Sequence, residues 1–249
     1  MHLLAQQGAG APGETLRRFY GTLLESFGPQ GWWPARTRLE IILGAILTQN
    51  TTWRNARLAL KDLRKAGLLT WKALRQASLK QLESCVRRAG FYRQKARTIQ
   101  DLADWLERVH RGSWDALFSM DPGRGREQLL GLKGIGPETA DAILLYAGRQ
   151  PFFVADAYTR RVLSRHQLIP READYESARR FLEQHLAPDE AMFNEFHALL
   201  VETGKRYCRR QAAHCDECPL GRFLAPPLPA LIPVATLRGQ PETTANHGV

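Results

Sequence analysis

Leu132-Lys133-Gly134-Ile135-Gly136-Pro137-Glu138-Thr139-Ala140-Asp141-Ala142-Ile143-Leu144 is the stretch on which the fold turns. Two glycines one residue apart allow a tight reversal. Pro137 suits the first position of a helix, where its missing N–H costs nothing. Ala140, Ile143, Leu144 and Ala147 follow at helical spacing as an apolar face. Upstream, Asp121-Pro122-Gly123 reads as a turn and Arg126 to Leu130 as a short helix, so two helices meet at a hairpin over about residues 126–147. Leu132 and Ile135 point inward and lock the pair. The hairpin delivers the chain to a helix N-terminus, whose N–H groups and partial positive charge suit a phosphate. Lys133, Gly134, Ile135, Gly136 and Thr139 are the candidate contacts.

The surrounding chain reads as helix throughout. Leu16, Phe19, Tyr20, Leu23 and Leu24 mark a helix from Glu14, broken by Gly28-Pro29-Gln30-Gly31. Leu39, Ile42, Leu43, Ile46 and Leu47 mark a second, apolar nearly all round and hence central. Further helical patterns cover about 54–66, 71–76, 79–88, 92–110, 113–119, 157–167, 174–186 and 189–204. No stretch alternates as a strand does, so an all-α protein is expected. Residues 1–13 read as a frayed terminus, and the proline-rich, charge-poor 225–249 as a disordered tail.

Composition narrows the partner. Lys plus Arg is 35 and Asp plus Glu is 25, a net charge of +10 in 249 residues. Such a surplus favours an anionic partner. No run approaches a membrane span, and the first residues lack the pattern of a signal peptide, so a cytoplasmic, nucleoid-associated protein is expected. Cys208, Cys215 and Cys218 crowd together, which in a reducing compartment reads as metal ligation.

Leu-x-Gly-Ile-Gly, Thr139-Ala140, Ile143-Leu144, Val154-Ala155-Asp156 and Arg160-Arg161-Val162 together resemble the helix-hairpin-helix DNA glycosylases of the endonuclease III superfamily. The resemblance covers about residues 30–220. It implies two helical domains flanking a DNA-binding cleft. One is a bundle over 36–150 that contains the hairpin; the other joins 14–35 to 151–224 and carries the cysteine loop 208–218. The partner implied is double-stranded DNA with damaged bases, bound by a monomer.

Breaking an N-glycosidic bond builds positive charge on the sugar. A fixed carboxylate at Asp156 stabilises that charge and can orient or deprotonate a water. An Asp before a helix is also an N-cap, and both roles can hold at once. Relatives that also cut the backbone carry a lysine at the position of Glu138. A carboxylate cannot form a Schiff base, so the resemblance points to a monofunctional enzyme with water as nucleophile.

Trp32-Trp33-Pro34 and Trp53, with Leu47-Thr48-Gln49-Asn50-Thr51 between, resemble the bacterial 3-methyladenine branch. There the matching aromatics line the base pocket, where an alkylated, cationic base gains a cation–π term. Packing in the core is the plain alternative for each Trp. Gln49 matches the wedge that fills the hole left by the extruded nucleotide. Excision of alkylated purines, 3-methyladenine foremost, is therefore expected. Another base specificity, a lyase, or a non-catalytic DNA binder stay open.

The cysteines resemble the superfamily's iron–sulfur loop, except that the fourth ligand position holds Leu224. A [4Fe-4S] cluster, another metal or an empty loop are the outcomes left open, structural in every case; the chemistry itself needs no cofactor. Lys205, Arg206, Arg209 and Arg210 are expected to face phosphate.

Overall fold

The computed structural model describes residues 12–224, and these form helices and no strand; a single antiparallel bridge joins Cys208 and Ala213. In order the helices are α1 (Pro12–Phe27), α2 (Arg38–Leu47), α3 (Trp53–Lys65), α4 (Trp71–Gln76), α5 (Leu79–Val86), α6 (Tyr92–His110), α7 (Trp114–Phe118), α8 (Pro122–Leu130), α9 (Pro137–Ala142), α10 (Ala157–Arg165), α11 (Tyr175–His185) and α12 (Glu190–Arg206). Among them no helix is long and apolar enough to cross a membrane.

The segments 1–11 and 225–249, expected as frayed ends, lie outside the described residues. Pro12 and Gly13 do not fray: they open α1, where Gly13 is buried against the carbonyl of His185. The turn expected at Asp121-Pro122-Gly123 is instead the start of α8. Asp121 accepts from the amide of Arg124 and Pro122 takes the first position, two start signals that outweigh the glycine. The helix after the hairpin is also not uniform. From Ile143 to Ala147 it widens into a π-helical turn, closed by Gly148 N–H donating to Ile143 O.

Helix α2 is the centre. Leu39, Ile42, Leu43, Ile46 and Leu47 are buried, and the helix packs against α3, α6, α9 and the π turn. Its one acid, Glu40, is buried too and meets Arg64 of α3. A second group forms where α1 packs on α11 and α12 and α10 packs on α12. The two groups are pinned by charge. Asp141 of α9, fully buried, takes both arms of Arg126 at 2.6 and 3.1 Å and the hydroxyl of Tyr175 at 2.8 Å. Arg126 and Arg179 also reach Glu176 of α11. A bidentate pair with every acceptor used is the form in which a buried carboxylate is tolerated.

Lys95 of α6 is the other buried ion. Its ammonium donates to the carbonyls of Leu47, Gln49 and Ala89 at 2.9, 2.8 and 2.7 Å. Burial pulls its pKa down to about 8, which leaves the ammonium charged at neutral pH. It thereby fixes the end of α2 and the turn after α5. Lys95→Met should strand three carbonyls and cost about 2–4 kcal/mol, read as a lower urea midpoint.

Candidate active site

A cavity of about 370 Å³ opens between the turn after α2, the start of α9, the π turn, the start of α10 and α12. This is within the usual range for small-molecule pockets, roughly 300–1,000 Å³. Aromatic rings form much of its wall. Trp33 meets Trp53 edge-on at 5.2 Å and Tyr146 at 5.0 Å, and Trp32 lies 5.8 Å from the ring of His197. Trp33 lies flat on α2 because Gly44 is there; a Cβ would come within 3.0 Å of its indole nitrogen. Gly204 does the same for Tyr158 on α12, where a Cβ would stand 2.4 Å from the ring.

Asp156 stands at the N-cap of α10, as its sequence context suggests, and also lines the cavity. Its Oδ1 accepts from the amide of Thr159 at 2.8 Å. Its Oδ2 lies 3.6 Å from Nε2 of His197, an electrostatic contact slightly longer than a hydrogen bond. Burial by itself would raise the carboxyl's pKa. The His197 ring and the Thr159 amide outweigh it and hold the group below the usual Asp value. Asp156 is thus a carboxylate at neutral pH.

Glu138 also lines the cavity, at its mouth. The side chain as a whole is exposed, yet protein crowds its carboxyl. That desolvation raises its pKa and the charge of Asp156 adds to the rise, against the pull of His197 and Arg160. Two carboxyls with opposed shifts therefore share one cavity. Lys205 sits in it as well, its ammonium 5.4 Å above the ring of Trp32. Lys205 lies near the end of α12 and, though exposed, lines this cavity. Arg206 is engaged by Glu202 and by the ring of Phe27.

The hairpin has the expected shape with a different division of labour. Gly134 takes φ +90 and passes so close over α6 that a Cβ would lie 2.1 Å from Thr98 Oγ1. Gly136 needs no such freedom: its φ is −93 and nothing lies near its Cβ position. Gly136 is the N-cap of α9 and supplies no side chain, so the first turn of α9 has no internal cap. Lys133 is exposed beside it. Ile135 is buried, and its amide is taken by Leu132 O, which leaves it a packing residue. Thr139 is buried on the cavity side of α9, and its hydroxyl accepts from Gln49.

Gln49 itself bridges two elements, its Nε2 donating to Gly134 O at 2.9 Å and to Thr139 Oγ1 at 2.8 Å. Trp32, Trp33 and Trp53 come together around the cavity, whereas Pro34 is exposed and outside its lining. Tyr146, Tyr158, His197 and Lys205 line it without having been singled out as pocket residues in the sequence. Tyr146 and His197 fall on buried helical faces, where a polar residue reads as core filling. Only the fold shows that they meet.

Cys208, Cys215 and Cys218 surround a separate small cavity of about 20 Å³, near the size of one water, whose lining includes Leu224. Arg165 donates to Cys208 Sγ at 3.2 Å. Among the described residues no group of three or more His, Cys, Asp or Glu side chains is disposed to hold a metal. Three thiols, a leucine in the fourth place and an arginine on one sulfur do not fit a four-thiolate cluster.

Residues 43–188 match the family described as HhH-GPD superfamily base excision DNA repair protein. A protein of Methanocaldococcus jannaschii named as a DNA repair glycosylase is 38% identical over 212 residues, spanning 84% of this chain and 96% of that protein. Endonuclease III of Sulfolobus acidocaldarius is 28% identical over 184 residues, 74% of this chain and 79% of the relative. Among solved structures, the H. pylori 3-methyladenine DNA glycosylase bound to 1,N6-ethenoadenine aligns with TM-score 0.68 and 29% identity, over 79% of this chain and 98% of that one. An endonuclease III–DNA complex aligns with TM-score 0.73 at 22% identity, over 85% and 94% of the two chains, a likeness of fold.

The two hairpin glycines should respond differently. Gly134→Ala should cost about 2–4 kcal/mol in urea unfolding, from the Thr98 clash and the left-handed backbone. Gly136→Ala should cost under about 1 kcal/mol.

Proposed function

The chain belongs to the HhH-GPD superfamily of base excision DNA repair proteins and is a DNA glycosylase, and from that membership we propose that it excises alkylated purines, 3-methyladenine foremost, with water as nucleophile. The observation that carries this reading is the ionised Asp156 set in an aromatic-walled cavity. A base extruded from the duplex enters this cavity and stacks on its aromatic wall, with Trp53 as the proposed platform. An alkylated purine already carries positive charge and departs as a neutral molecule, so it needs little proton donation. What it leaves behind is an electron-poor sugar, and the carboxylate of Asp156 stabilises it. With Glu138 and Asp156 against Lys205, the cavity's formal charge is −1 when both acids are ionised, which also suits a cationic base.

Lys133, Gly134, Gly136 and the open first turn of α9 are the proposed grip on backbone phosphate. Gln49 is the proposed wedge. Phe91, 65% exposed at the start of α6, stands at the same edge, because Lys95 ties both Gln49 O and Ala89 O. Arg87 and Arg93 flank it on the ring of Tyr92. An exposed apolar ring among arginines suits insertion between bases.

One observation favours a second reading. Lys205 brings an amine into the cavity, and an amine can form a Schiff base with an opened sugar. Borohydride reduction in the presence of abasic DNA separates the two: water as nucleophile leaves no covalent adduct, whereas an adduct lost in Lys205→Ala would establish the lyase.

The direct test is chromatography of bases released from methylated duplex DNA, where 3-methyladenine is expected and its absence would overturn the specificity. Asp156→Asn should lower single-turnover release by roughly 10²–10³-fold or more while duplex affinity changes only a few-fold. Trp53→Ala should weaken discrimination for the cationic base by about 1–3 kcal/mol, seen as a loss in kcat/KM on methylated DNA.

A further inference from the structure

We propose that His197 is the positioning residue of this site: held at Nδ1 by Tyr146, it aims Nε2–H at Asp156 and keeps the carboxylate turned toward the cavity. The inference rests on the role given to Asp156 above and adds the device that maintains it.

His197 is 5% exposed on the inner face of α12, between the buried Phe196 and Ala198. A ring with two nitrogens in such a place needs partners for both. Nδ1 has one, the hydroxyl of Tyr146. Tyr146 is buried, and burial, with the nearby charge of Asp156, pushes its pKa well above the ordinary value. The phenol keeps its proton, and because a carboxylate faces Nε2, it is Nδ1 that accepts from the phenol. The ring's own proton is then on Nε2. That nitrogen is buried with no hydrogen-bond partner, and Asp156 Oδ2 stands 3.6 Å away. Oδ1 is already occupied by the Thr159 amide, which leaves Oδ2 for His197 and the cavity. Such contacts commonly shorten when substrate closes the site.

The other groups facing this pair do not replace His197. Glu138 comes from α9 and is acidic, so it repels Asp156. Arg160 of α10 acts on Glu138. Lys205 of α12 is over Trp32, and the Trp32 ring stands beside His197. The donor that faces Asp156 Oδ2 is therefore the Nε2–H of this ring. A hydrogen donated to the carboxylate favours its ionised form and fixes which oxygen faces the cavity. The π turn matters here too. It carries Tyr146 and contacts α12, and one residue more per turn rotates the positions after it by roughly 100° relative to a regular helix.

The test is single-turnover release of 3-methyladenine from methylated duplex DNA between pH 5 and 8. Wild type should show no acid limb, because Asp156 stays ionised throughout. In His197→Ala burial acts unopposed by the ring, the carboxyl titrates within the range, and release should fall at least about fivefold from pH 7 to pH 5. Tyr146→Phe should shift in the same direction by less, and His197→Gln, which keeps a donor, should recover part of the loss. The comparison is repeated in a Glu138→Gln background so that the limb belongs to Asp156. A pH-independent loss in both His197→Ala and Tyr146→Phe would overturn the proposal and leave His197 as packing. Carbon-13 NMR of the Asp156 carboxyl in the DNA-free protein reads the same shift without turnover: ionised at pH 5 in wild type, titrating above pH 5 in His197→Ala. Full release by Asp156→Asn would instead sink the role of Asp156 itself, while the NMR titration would still report on His197.

Discussion

A carboxylate taken out of water is the constraint around which this molecule is arranged. Burial by itself raises the pKa of Asp156, and a protonated acid offers nothing to a developing cation. Two contacts oppose the rise, one local, the Thr159 amide in the first turn of α10, and one from far along the chain, the His197 ring of α12. Those contacts require that α10 pack on α12, that the π turn present Tyr146, and that Gly204 admit Tyr158 against α12. Much of the helical packing near the site can be understood as holding one negative charge in place.

A second constraint concerns helix beginnings. Thr37, Thr52, Thr70, Ser78, Ser113, Asp121, Asp156, Asp174 and Asp189 each cap their own helix through a side-chain oxygen. Helix α9 begins instead at Gly136, with no side chain to bring. Helix α6 likewise starts, at Phe91, without a side-chain cap, so two helices leave first-turn amides open, one of them where the hairpin reverses. Unsatisfied amides are a cost to the free protein and an attraction to an anion.

The helices were legible because their apolar residues recur at three and four and because caps and breakers bound them. Asp121-Pro122 misled for an instructive reason: the same residues open turns and helices, and the deciding factor is what packs downstream. The π turn had no local signature. In the site, Asp156, Trp32, Trp33 and Trp53 were legible because carboxylates and tryptophans stand out near a hairpin motif. Pro34 was carried along by adjacency and proved exposed. Thr139 is buried and lines the cavity, which helical spacing alone does not reveal, since spacing does not say which face meets a cavity. Tyr146, His197 and Lys205 are ordinary helix residues in sequence; 51 positions separate the Tyr146–His197 pair, and only tertiary packing joins them.

The segment matched to the family runs from residue 43 to 188, and the cavity does not stay within it. Hairpin, Glu138 and Asp156 lie inside. Trp32 and Trp33 reach in from before it, and His197 and Lys205 from after it. The enclosure is therefore assembled from both flanks folded back onto a common middle. Descendants of one ancestor could trade such flanks while the middle stayed recognisable, and kinship read from the shared segment would then say little about which guest each lineage admits.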